Sequence, residues 1–305
     1  MRLGVDIGGT KLETAFLGPD GAILARVRRP TPPDYDSLVR AVADLVAECE
    51  REAGAPLGAA RIGVAHPGSI SPATGLIRNS NSTWLNGRPL DRDLATAFGR
   101  PVRLSNDADC FALSEAVDGA GAGAEIVFGV ILGTGVGGGV AVGGKLLDGA
   151  QAIAGEWGHT PLPWLQPDEF PGPTCWCGKA GCIETFLCGP ALSASYEAIC
   201  GAKVDGQELA ARAHAGEPAA RTALELYVHR LARALAGVIN LLDPNVIVLG
   251  GGVSNIAGLA EAVQAQLGEH VFSDVVRTRV VKNRHGDSSG VRGAAWLWHA
   301  GDADE

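Results

Sequence analysis

Short apolar runs alternate with turn residues along the first third of the chain. Residues 2–7 form one such run, the turn Gly8-Gly9-Thr10 follows it, and a second run covers residues 12–17. A Pro-Asp-Gly turn then leads into a third run at residues 22–28. Apolar runs bounded by turn residues predict strands that are joined as hairpins.

Longer segments carry apolar residues at helical spacing. The stretch 37–53 places Leu38, Val42 and Leu45 on one face, and the stretch 218–242 does the same with Tyr227 and Leu231. Further strands are predicted at residues 61–65 and 102–105, a short helix from residue 89, and another helix after Asn106-Asp107.

A similar order of elements restarts near residue 125. The apolar run 126–132 ends at Gly133-Thr134-Gly135, a second strand follows at 139–142, and the run 246–249 leads into Gly250-Gly251-Gly252. This repeat predicts a structural duplication. Strands that alternate with helices and end in glycine turns indicate an α/β protein with ligands at the strand termini.

Composition narrows the class of protein. A chain of 305 residues with 46% hydrophobic and 19% charged residues is long enough for two lobes. The net charge of −9 disfavours binding to nucleic acid or to an anionic membrane, and no apolar run is long enough to span a bilayer. Seven cysteines, three of them clustered, favour a reducing cytoplasm.

The glycine turns predict a nucleotide site. Glycine lets backbone N–H groups approach phosphate closely, and threonine hydroxyls add donors. One such turn is weak evidence, because many strands end in glycine, but three in one α/β chain indicate nucleotide binding. Gly133, Gly135 and Gly138 satisfy G-x-G-x-x-G, yet the segment after them is predicted to be a strand, so a dinucleotide fingerprint is rejected. The chain also lacks a P-loop motif.

A cysteine cluster predicts a structural zinc site. Cys175, Cys177 and Cys182 have C-x-C-x4-C spacing, and His159 offers a fourth ligand from Gly155-Glu156-Trp157-Gly158-His159. The alternative is a set of reduced, buried cysteines without metal. Glu156 and Glu184 adjoin the ligands, so a metal would bring two carboxylates into one pocket.

Polar residues at strand ends suggest further chemistry. Asp107 is a candidate base that accepts a proton from an attacking hydroxyl, although it could equally cap the helix that follows. Asp6 is a candidate for holding Mg²⁺ through water. The run 79–83, Asn-Ser-Asn-Ser-Thr, suits a polyhydroxylated ligand or a solvated loop.

These motifs together resemble the ROK sugar kinases of the hexokinase–actin superfamily. The matching segments follow the family's order over almost the whole chain: Asp6-Ile7-Gly8-Gly9-Thr10-Lys11, Pro67-Gly68-Ser69, Asn106-Asp107-Ala108, Gly133-Thr134-Gly135, residues 155–159 and the cysteine segment 175–184. The resemblance implies a two-lobed ribonuclease-H-like fold with a zinc-stabilised loop. It implies a small lobe of residues 1–117 and 290–305, a large lobe of 118–289, and a final helix at 290–299.

The resemblance also assigns roles to residues. It implies that Asp107 is the base, and that the sugar, bound between the lobes, is surrounded by Gly68, Asn81, Asn106, Asp107, Glu156, His159 and Glu184. ATP and Mg²⁺ would be held by Asp6, Gly8, Gly9, Thr10, Lys11, Gly133, Thr134, Gly135, Gly250, Gly251 and Gly252. Structural Zn²⁺ would be held by His159, Cys175, Cys177 and Cys182. The resemblance makes a homodimer the expectation, and the cysteine usage and net charge add a cytoplasmic location with no nucleic-acid or membrane partner.

Within the family, the chain looks most like the bacterial fructokinases related to manno(fructo)kinase. The segments 79–87, 161–164 and 285–290 carry that closer similarity. The expected reaction is ATP-dependent phosphorylation of D-fructose at its 6-hydroxyl. The alternatives are glucokinase, mannokinase or N-acetylglucosamine kinase activity, and His66, where the family usually has an aliphatic residue, bears on that choice. A sugar-sensing repressor is disfavoured, since only five residues precede Asp6.

Overall fold

The computed structural model describes residues 1–298, and every structural statement below concerns that range. Its strands are β1 (Arg2–Ile7), β2 (Lys11–Leu17), β3 (Ile23–Pro30), β4 (Arg61–His66), β5 (Ser69–Ile70), β6 (Ile77–Arg78), β7 (Val102–Asn106), β8 (Ile126–Leu132), β9 (Val136–Val142), β10 (Lys145–Leu146), β11 (Val246–Gly250) and β12 (Arg279–Lys282). Its α-helices are α1 (Tyr35–Glu52), α2 (Leu90–Phe98), α3 (Asp107–Val117), α4 (Glu184–Leu187), α5 (Gly189–Cys200), α6 (Gly206–His214), α7 (Pro218–Leu242), α8 (Leu259–Gln266) and α9 (Ser289–Trp296).

The chain divides into two compact units. One consists of Met1–Gly119, Gly144–Ala154 and the described part of Asp287–Glu305, and the other of Ala120–Gly143 and Gly155–Gly286. The lobes expected from the sequence differ from these units, because they assign residues 118–119, 144–154 and 287–289 to the large lobe. Those lobes stay a prediction. The final helix, expected at 290–299, is observed as α9, and position 299 lies outside the described residues.

The first unit is built on a five-stranded sheet in the order β3-β2-β1-β4-β7. The β1–β2 and β2–β3 pairs are antiparallel, whereas β1–β4 and β4–β7 are parallel. Side chains alternate between the faces of a strand, so Leu3, Val5 and Ile7 of β1 pack in one core with Leu38 and Val42 of α1. The opposite face is covered by α9.

Helix α9 approaches the sheet of the first unit at backbone contact distance. Gly4 in β1 and Gly63 in β4 have no side chain at the points where α9 crosses, and a Cβ at either position would collide with a carbonyl oxygen of the helix. Gly293 of α9 faces α3 in the same way, and a Cβ there would collide with the carbonyl of Cys110. These three glycines allow α9 to lie between the sheet and α3.

The second unit repeats the arrangement, as the sequence predicts. Its strands lie in the order β9-β8-β11-β12, with β8–β9 antiparallel and the β8–β11 and β11–β12 pairs parallel. The long helix α7 has the predicted bounds and buries Tyr227, Leu231 and Leu235 in the core of this unit. Two sheets, each with an antiparallel hairpin followed by parallel strands, constitute the predicted ribonuclease-H-like α/β fold.

The region 143–173, predicted to be irregular, contains only β10 and two short 3₁₀ turns, Trp157–His159 and Pro167–Glu169. None of the described helices combines the length and the apolar content that a membrane crossing requires.

Candidate functional site

Asp6 lies at the end of β1 on the face of the sheet that α9 covers. A Cβ on Gly290, in the first turn of α9, would be 3.0 Å from Asp6 Oδ2, so this helix approaches the carboxylate closely. Burial, together with the negative charges of Asp107 and Glu13, raises the pKa of Asp6 to about 7, although Lys11 opposes the shift. Two carboxylates that disfavour each other's ionisation suit a divalent cation, because the cation neutralises both.

The first glycine turn follows Asp6 directly. The Gly8 N–H donates to the Lys11 carbonyl over 2.9 Å and closes the turn. The Lys11 ammonium contacts Glu13 Oε2 at 2.9 Å, and the fully buried Glu13 also pairs with Arg26 and Arg28. The ion pair with Glu13 therefore holds the Lys11 ammonium beside the glycine turn, which the sequence predicts to bind phosphate.

Asn106, and not Asp107 alone, caps helix α3. Its side-chain oxygen accepts from the N–H groups of Ala108 at 2.7 Å and Asp109 at 3.4 Å, and its amide donates to the Gly68 carbonyl at 3.1 Å. Asp107 Oδ1 accepts from the Ala108 N–H at 2.8 Å, and the residue is exposed. Asn106 and Asp107 thus share the capping of α3. The Asp107 carboxylate is exposed at the N-terminus of this helix.

The polar loop that follows β6 is ordered by one asparagine. Asn86 accepts from the Ser80 N–H at 2.9 Å and donates to the Ser80 carbonyl at 3.0 Å, so Ser80 is bound on both sides. Ser80 is buried while Asn81 is exposed. The predicted ligand residue Asn81 therefore lies on a loop that hydrogen bonds hold in place, and not on a freely solvated one. The sequence alone did not indicate that Asn86 makes these bonds.

The other two glycine turns meet in the second unit. Gly133 and Thr134, between β8 and β9, line a cavity of about 950 Å³ together with Gly252, which follows β11. A Cβ on Gly251, whose φ is 82°, would collide with the Leu132 carbonyl, so glycine is required where the turns approach each other. The strand after Gly133-Thr134-Gly135 is β9, which supports the rejection of a dinucleotide fingerprint.

Helices α5 and α6 and the loop that joins them supply most of the remaining cavity wall. Ser193 and Glu197 come from α5, Lys203 and Asp205 from the loop, and Gln207 from α6. The sequence reading missed these residues, since neither helix was predicted. A cavity of this volume, with glycine turns on one side and charged side chains on the other, is of the size that small-molecule ligands occupy.

The four predicted metal ligands converge. One donor atom from each of His159, Cys175, Cys177 and Cys182 lies within 4.8 Å of all the others. His159 Nδ1 is 3.5 Å from Cys175 Sγ, and Cys177 Sγ is 3.6 Å from Cys182 Sγ. Tetrahedral zinc with bonds of about 2.3 Å separates its sulfur ligands by about 3.8 Å. The residues therefore fit such an ion.

Local hydrogen bonding favours a thiolate at Cys177, whereas burial raises the pKa of Cys175 and of Cys182. The backbone N–H of Lys179 lowers the pKa of the Cys177 thiol, whereas burial raises the pKa of Cys182 to about 12. Deprotonated sulfur is the form that binds metal. The donor set, with three sulfurs and one nitrogen, leaves no position open and is typical of a structural site.

The turn that carries Glu156 and His159 is fixed by the tryptophan between them. Trp157 is buried, its indole N–H donates to the Gly137 carbonyl at 3.0 Å, and its ring lies edge-on to Phe128. Glu156 stays exposed. In the segment 155–159, Trp157 is therefore buried against β8 and β9, and the two functional candidates, Glu156 and His159, lie on either side of it.

Glu184 begins helix α4 and lies beside the metal cluster. Its Oε1 accepts from the Trp176 indole N–H at 2.8 Å, and its Oε2 accepts from the Val136 backbone N–H at 3.0 Å. Glu184 is thus joined both to the cysteine hairpin and to the glycine turn that precedes β9. The sequence motifs had not indicated either contact.

His66, the departure from the family pattern, is a buried residue. It is 1% exposed, burial lowers its pKa to about 4, and its Nδ1–H donates to the Pro67 carbonyl at 3.1 Å. The ring is therefore neutral at physiological pH and contacts the Pro67-Gly68 turn through this hydrogen bond.

Known proteins agree with this architecture. The model of the ROK family matches residues 2–301. An N-acetyl-D-glucosamine kinase of Escherichia coli O1:K1 / APEC is 37% identical over 302 residues, which cover 97% of this chain and 99% of the relative. The ROK hexokinase of Thermus thermophilus is 33% identical with a TM-score of 0.84 over 97% of both chains. A ROK family glucokinase of Streptomyces griseus, solved with glucose and AMPPNP, is 28% identical with a TM-score of 0.77 over 97% of this chain and 98% of that one.

The two repeated sheets and their glycine turns define an ATPase fold of the actin and hexokinase type. The chain belongs to the ROK family, as its motifs predict.

Proposed function

We propose that the chain transfers the γ-phosphoryl group of ATP to the 6-hydroxyl of a hexose, with D-fructose as the preferred substrate. Its kinase character is supported by the N-acetyl-D-glucosamine kinase that is 37% identical over 97% of the chain, and by the ROK hexokinase and glucokinase structures. The observation that carries the mechanism is the exposed Asp107 carboxylate at the N-terminus of α3, in the same unit as the half-buried Asp6.

Asp107 acts as the general base in this proposal. The sugar 6-OH gives its proton to the Asp107 carboxylate as the oxygen forms a bond to the γ-phosphorus, and the bond to the ADP oxygen breaks. Asn106 fixes the start of α3 and thereby the direction in which Asp107 projects. Mg²⁺, when bound with ATP, supplies positive charge to the phosphates, and Asp6 is the carboxylate proposed to hold it.

The glycine turns are proposed to bind the nucleotide. Gly8, Gly9, Thr10 and Lys11 would contact phosphate in one unit, and Gly133, Thr134, Gly135 and Gly250–Gly252 would bind ATP in the other. The 950 Å³ cavity beside Gly133 and Gly252 supports this assignment, because its volume suits a nucleoside. Lys203 and Gln207 add donors to its wall.

Sugar recognition is assigned to Gly68, Asn81, Asn106, Asp107, Glu156, His159 and Glu184. Zinc bound by His159 and the three cysteines would fix the segment between Glu156 and Glu184 without taking part in the chemistry. The spacing of the four donor atoms supports that role. We propose a homodimer as the assembly, and sedimentation equilibrium of the purified chain tests it.

The preference for fructose is supported by the segments 79–87, 161–164 and 285–290, which resemble fructokinases. N-acetyl-D-glucosamine is the second candidate, because a relative of that name is 37% identical. Glucose and mannose complete the set of candidates. Hexokinase pockets separate such sugars through a few hydrogen bonds, so a single measurement on each sugar is decisive.

A panel of four sugars tests the proposal. Purified enzyme with ATP and Mg²⁺ is assayed for ADP release with fructose, glucose, mannose and N-acetylglucosamine, and the phosphorylated position is read by ³¹P NMR. We expect the highest kcat/KM with fructose, weaker values with glucose and mannose, and poor turnover of N-acetylglucosamine. A higher kcat/KM for N-acetylglucosamine would overturn the fructose assignment and leave the kinase standing, whereas no turnover of any sugar would overturn both.

A further inference from the structure

Trp176 is exposed, but two contacts hold its indole ring in place. It stands between two cysteines of the metal cluster and is 67% exposed. Its indole N–H donates to Glu184 Oε1 at 2.8 Å, and its ring lies edge-on to His159 with centroids 4.8 Å apart. An exposed aromatic side chain with no such contacts would sample several rotamers, so these contacts indicate a defined position.

Glu184 is bound from a second direction as well. Its Oε2 accepts from the Val136 N–H at 3.0 Å. A Cβ on Gly135 would lie 2.6 Å from the same oxygen, so the carboxylate packs directly against the glycine turn. One donor therefore comes from the cysteine hairpin and the other from the start of β9.

Two donors on two different oxygens fix the plane of a carboxylate. An ionised carboxylate has about four lone-pair sites. Cys175 Sγ also lies 3.9 Å from Oε1, but a metal-bound cysteine is a thiolate and has no proton to donate. Each oxygen of Glu184 therefore keeps about one direction in which it can accept from a ligand. The Val136 donor belongs to the backbone and is constant. The Trp176 donor is a side chain, and it sets the remaining rotation of the carboxylate.

We propose that Trp176 is a positioning residue for sugar recognition, which acts by orienting Glu184 through its indole N–H. This inference rests on the proposed function, in which Glu184 accepts from a sugar hydroxyl. Trp176 orients Glu184 in the ground state and in the transition state alike, because the sugar hydroxyls that Glu184 binds are not the hydroxyl that reacts. Its loss therefore raises the KM for the sugar and leaves kcat unchanged.

The test variant is Trp176→Phe, which keeps an aromatic ring beside His159 and removes only the N–H donor. We expect the sugar KM and the calorimetric sugar Kd to rise by ~5- to 10-fold, the effect of one hydrogen bond to a charged group at a partly exposed site. The KM for ATP, kcat and the zinc content measured by mass spectrometry should stay within about 2-fold of the wild type. Trp164→Phe is the matched control, because Trp164 is 53% exposed in the same unit and its ring stacks on His270, which is not a residue of the metal cluster.

A double-mutant cycle separates positioning from a general structural role. In the Glu184→Ala background the indole has no carboxylate to orient, so Trp176→Phe should leave the sugar Kd unchanged. A Kd effect that persists in that background, a loss of zinc in Trp176→Phe, or an equal effect of Trp164→Phe would each overturn the inference. Turnover by the wild-type enzyme reports on the proposed function, whereas the ratio of variant to wild-type Kd reports on Trp176, so the two failures are distinguishable.

Discussion

The side-chain amide of Asn106 donates to the backbone carbonyl of Gly68 across 3.1 Å and thereby joins the end of β7 to the loop after β4. The same side chain caps α3 through its oxygen. One asparagine thus aligns the helix that carries Asp107 with the turn that precedes the polar loop. Gly68 has a φ of 82°, and a Cβ there would collide with the Arg78 carbonyl, so this turn requires glycine.

Asp107→Asn is expected to lower kcat by ~10²–10⁴-fold, the usual scale for loss of a general base. The amide keeps the shape of the carboxylate and an oxygen that accepts a hydrogen bond, so the sugar Kd should change little. Asp109→Asn, two residues further along the same helix, is the control and should keep kcat within about 3-fold of the wild type. Steady-state kinetics and sugar titration check both variants. Near-normal turnover of Asp107→Asn would show that Asp107 serves only as a helix cap.

Cys177→Ser is expected to remove zinc and to loosen the segment 155–184, because a structural metal contributes folding free energy directly. Zinc per chain, measured by mass spectrometry, should fall from about one to near zero. Amide hydrogen exchange should rise in this segment, and sugar phosphorylation should be lost while ATP binding is retained. Cys200→Ser is the matched control, since this cysteine is exposed and outside the metal cluster. Active wild-type enzyme with much less than one zinc per chain would contradict the prediction.

The elements with strong periodicity were predictable from the sequence. Helix α7, 25 residues long, has the predicted bounds because apolar residues such as Tyr227, Leu231 and Leu235 recur along it at helical spacing. The strands β1, β8 and β11 were predicted because each is an apolar run that ends in glycine. Local pattern and tertiary structure agree at these elements.

Helices α5, α6 and α8 were not predicted. α5 begins with Gly189-Pro190, a pair that is typical of turns, and α6 begins with Gly206 after its cap Asp205. Their first residues therefore resemble loops, and the alanines that follow give little contrast between a buried and an exposed face. The part of the 950 Å³ cavity wall that α5 and α6 supply escaped prediction for the same reason.

The residue types of the candidate site were predictable, but the contacts that orient them were not. The donors to Glu184 come from Trp176, 8 positions away, and Val136, 48 positions away. Asn106 and Gly68 are 38 positions apart. Such contacts depend on how strands and loops pack, and a single sequence without its fold carries no periodic signal for them.

Glu169→Gln is expected to lower the free energy of unfolding by ~3–5 kcal/mol, because it leaves the fully buried guanidinium of Arg233 without its counter-charge. Arg233 Nη2 contacts both carboxylate oxygens of Glu169, at 2.8 and 2.7 Å, and its Nη1 donates to the Trp164 carbonyl at 2.5 Å. The pair thus attaches the loop between His159 and Cys175 to α7. Urea unfolding measures the effect.

The control for this pair is Glu208→Gln, which breaks an exposed contact with Arg212 and should cost at most about 0.5 kcal/mol. Burial acts to raise the pKa of Glu169, but hydrogen bonds from Arg230 and Arg233 outweigh it and lower the pKa. The stabilisation is therefore present above the pKa of the unfolded state and is lost as pH falls through the lower folded-state pKa. Equal destabilisation by the two variants would contradict the prediction.

Asp6→Asn is expected to stabilise the metal-free protein at pH 8 and to abolish the effect of Mg²⁺ on its stability. The raised pKa of Asp6, about 7, means that the folded state binds this proton more tightly than the unfolded state does. The free energy of unfolding of the wild type therefore falls as pH rises from about 4 to about 7, and above that window the whole penalty is present. Asparagine carries no charge and removes the penalty, which is at most ~4 kcal/mol for a pKa raised from 3.8 to about 7. Urea unfolding at pH 4.5 and pH 8, with and without Mg²⁺, gives the difference between variant and wild type, and Asp44→Asn on the exposed face of α1 is the control. The prediction is wrong if the difference between Asp6→Asn and the wild type is the same at both pH values.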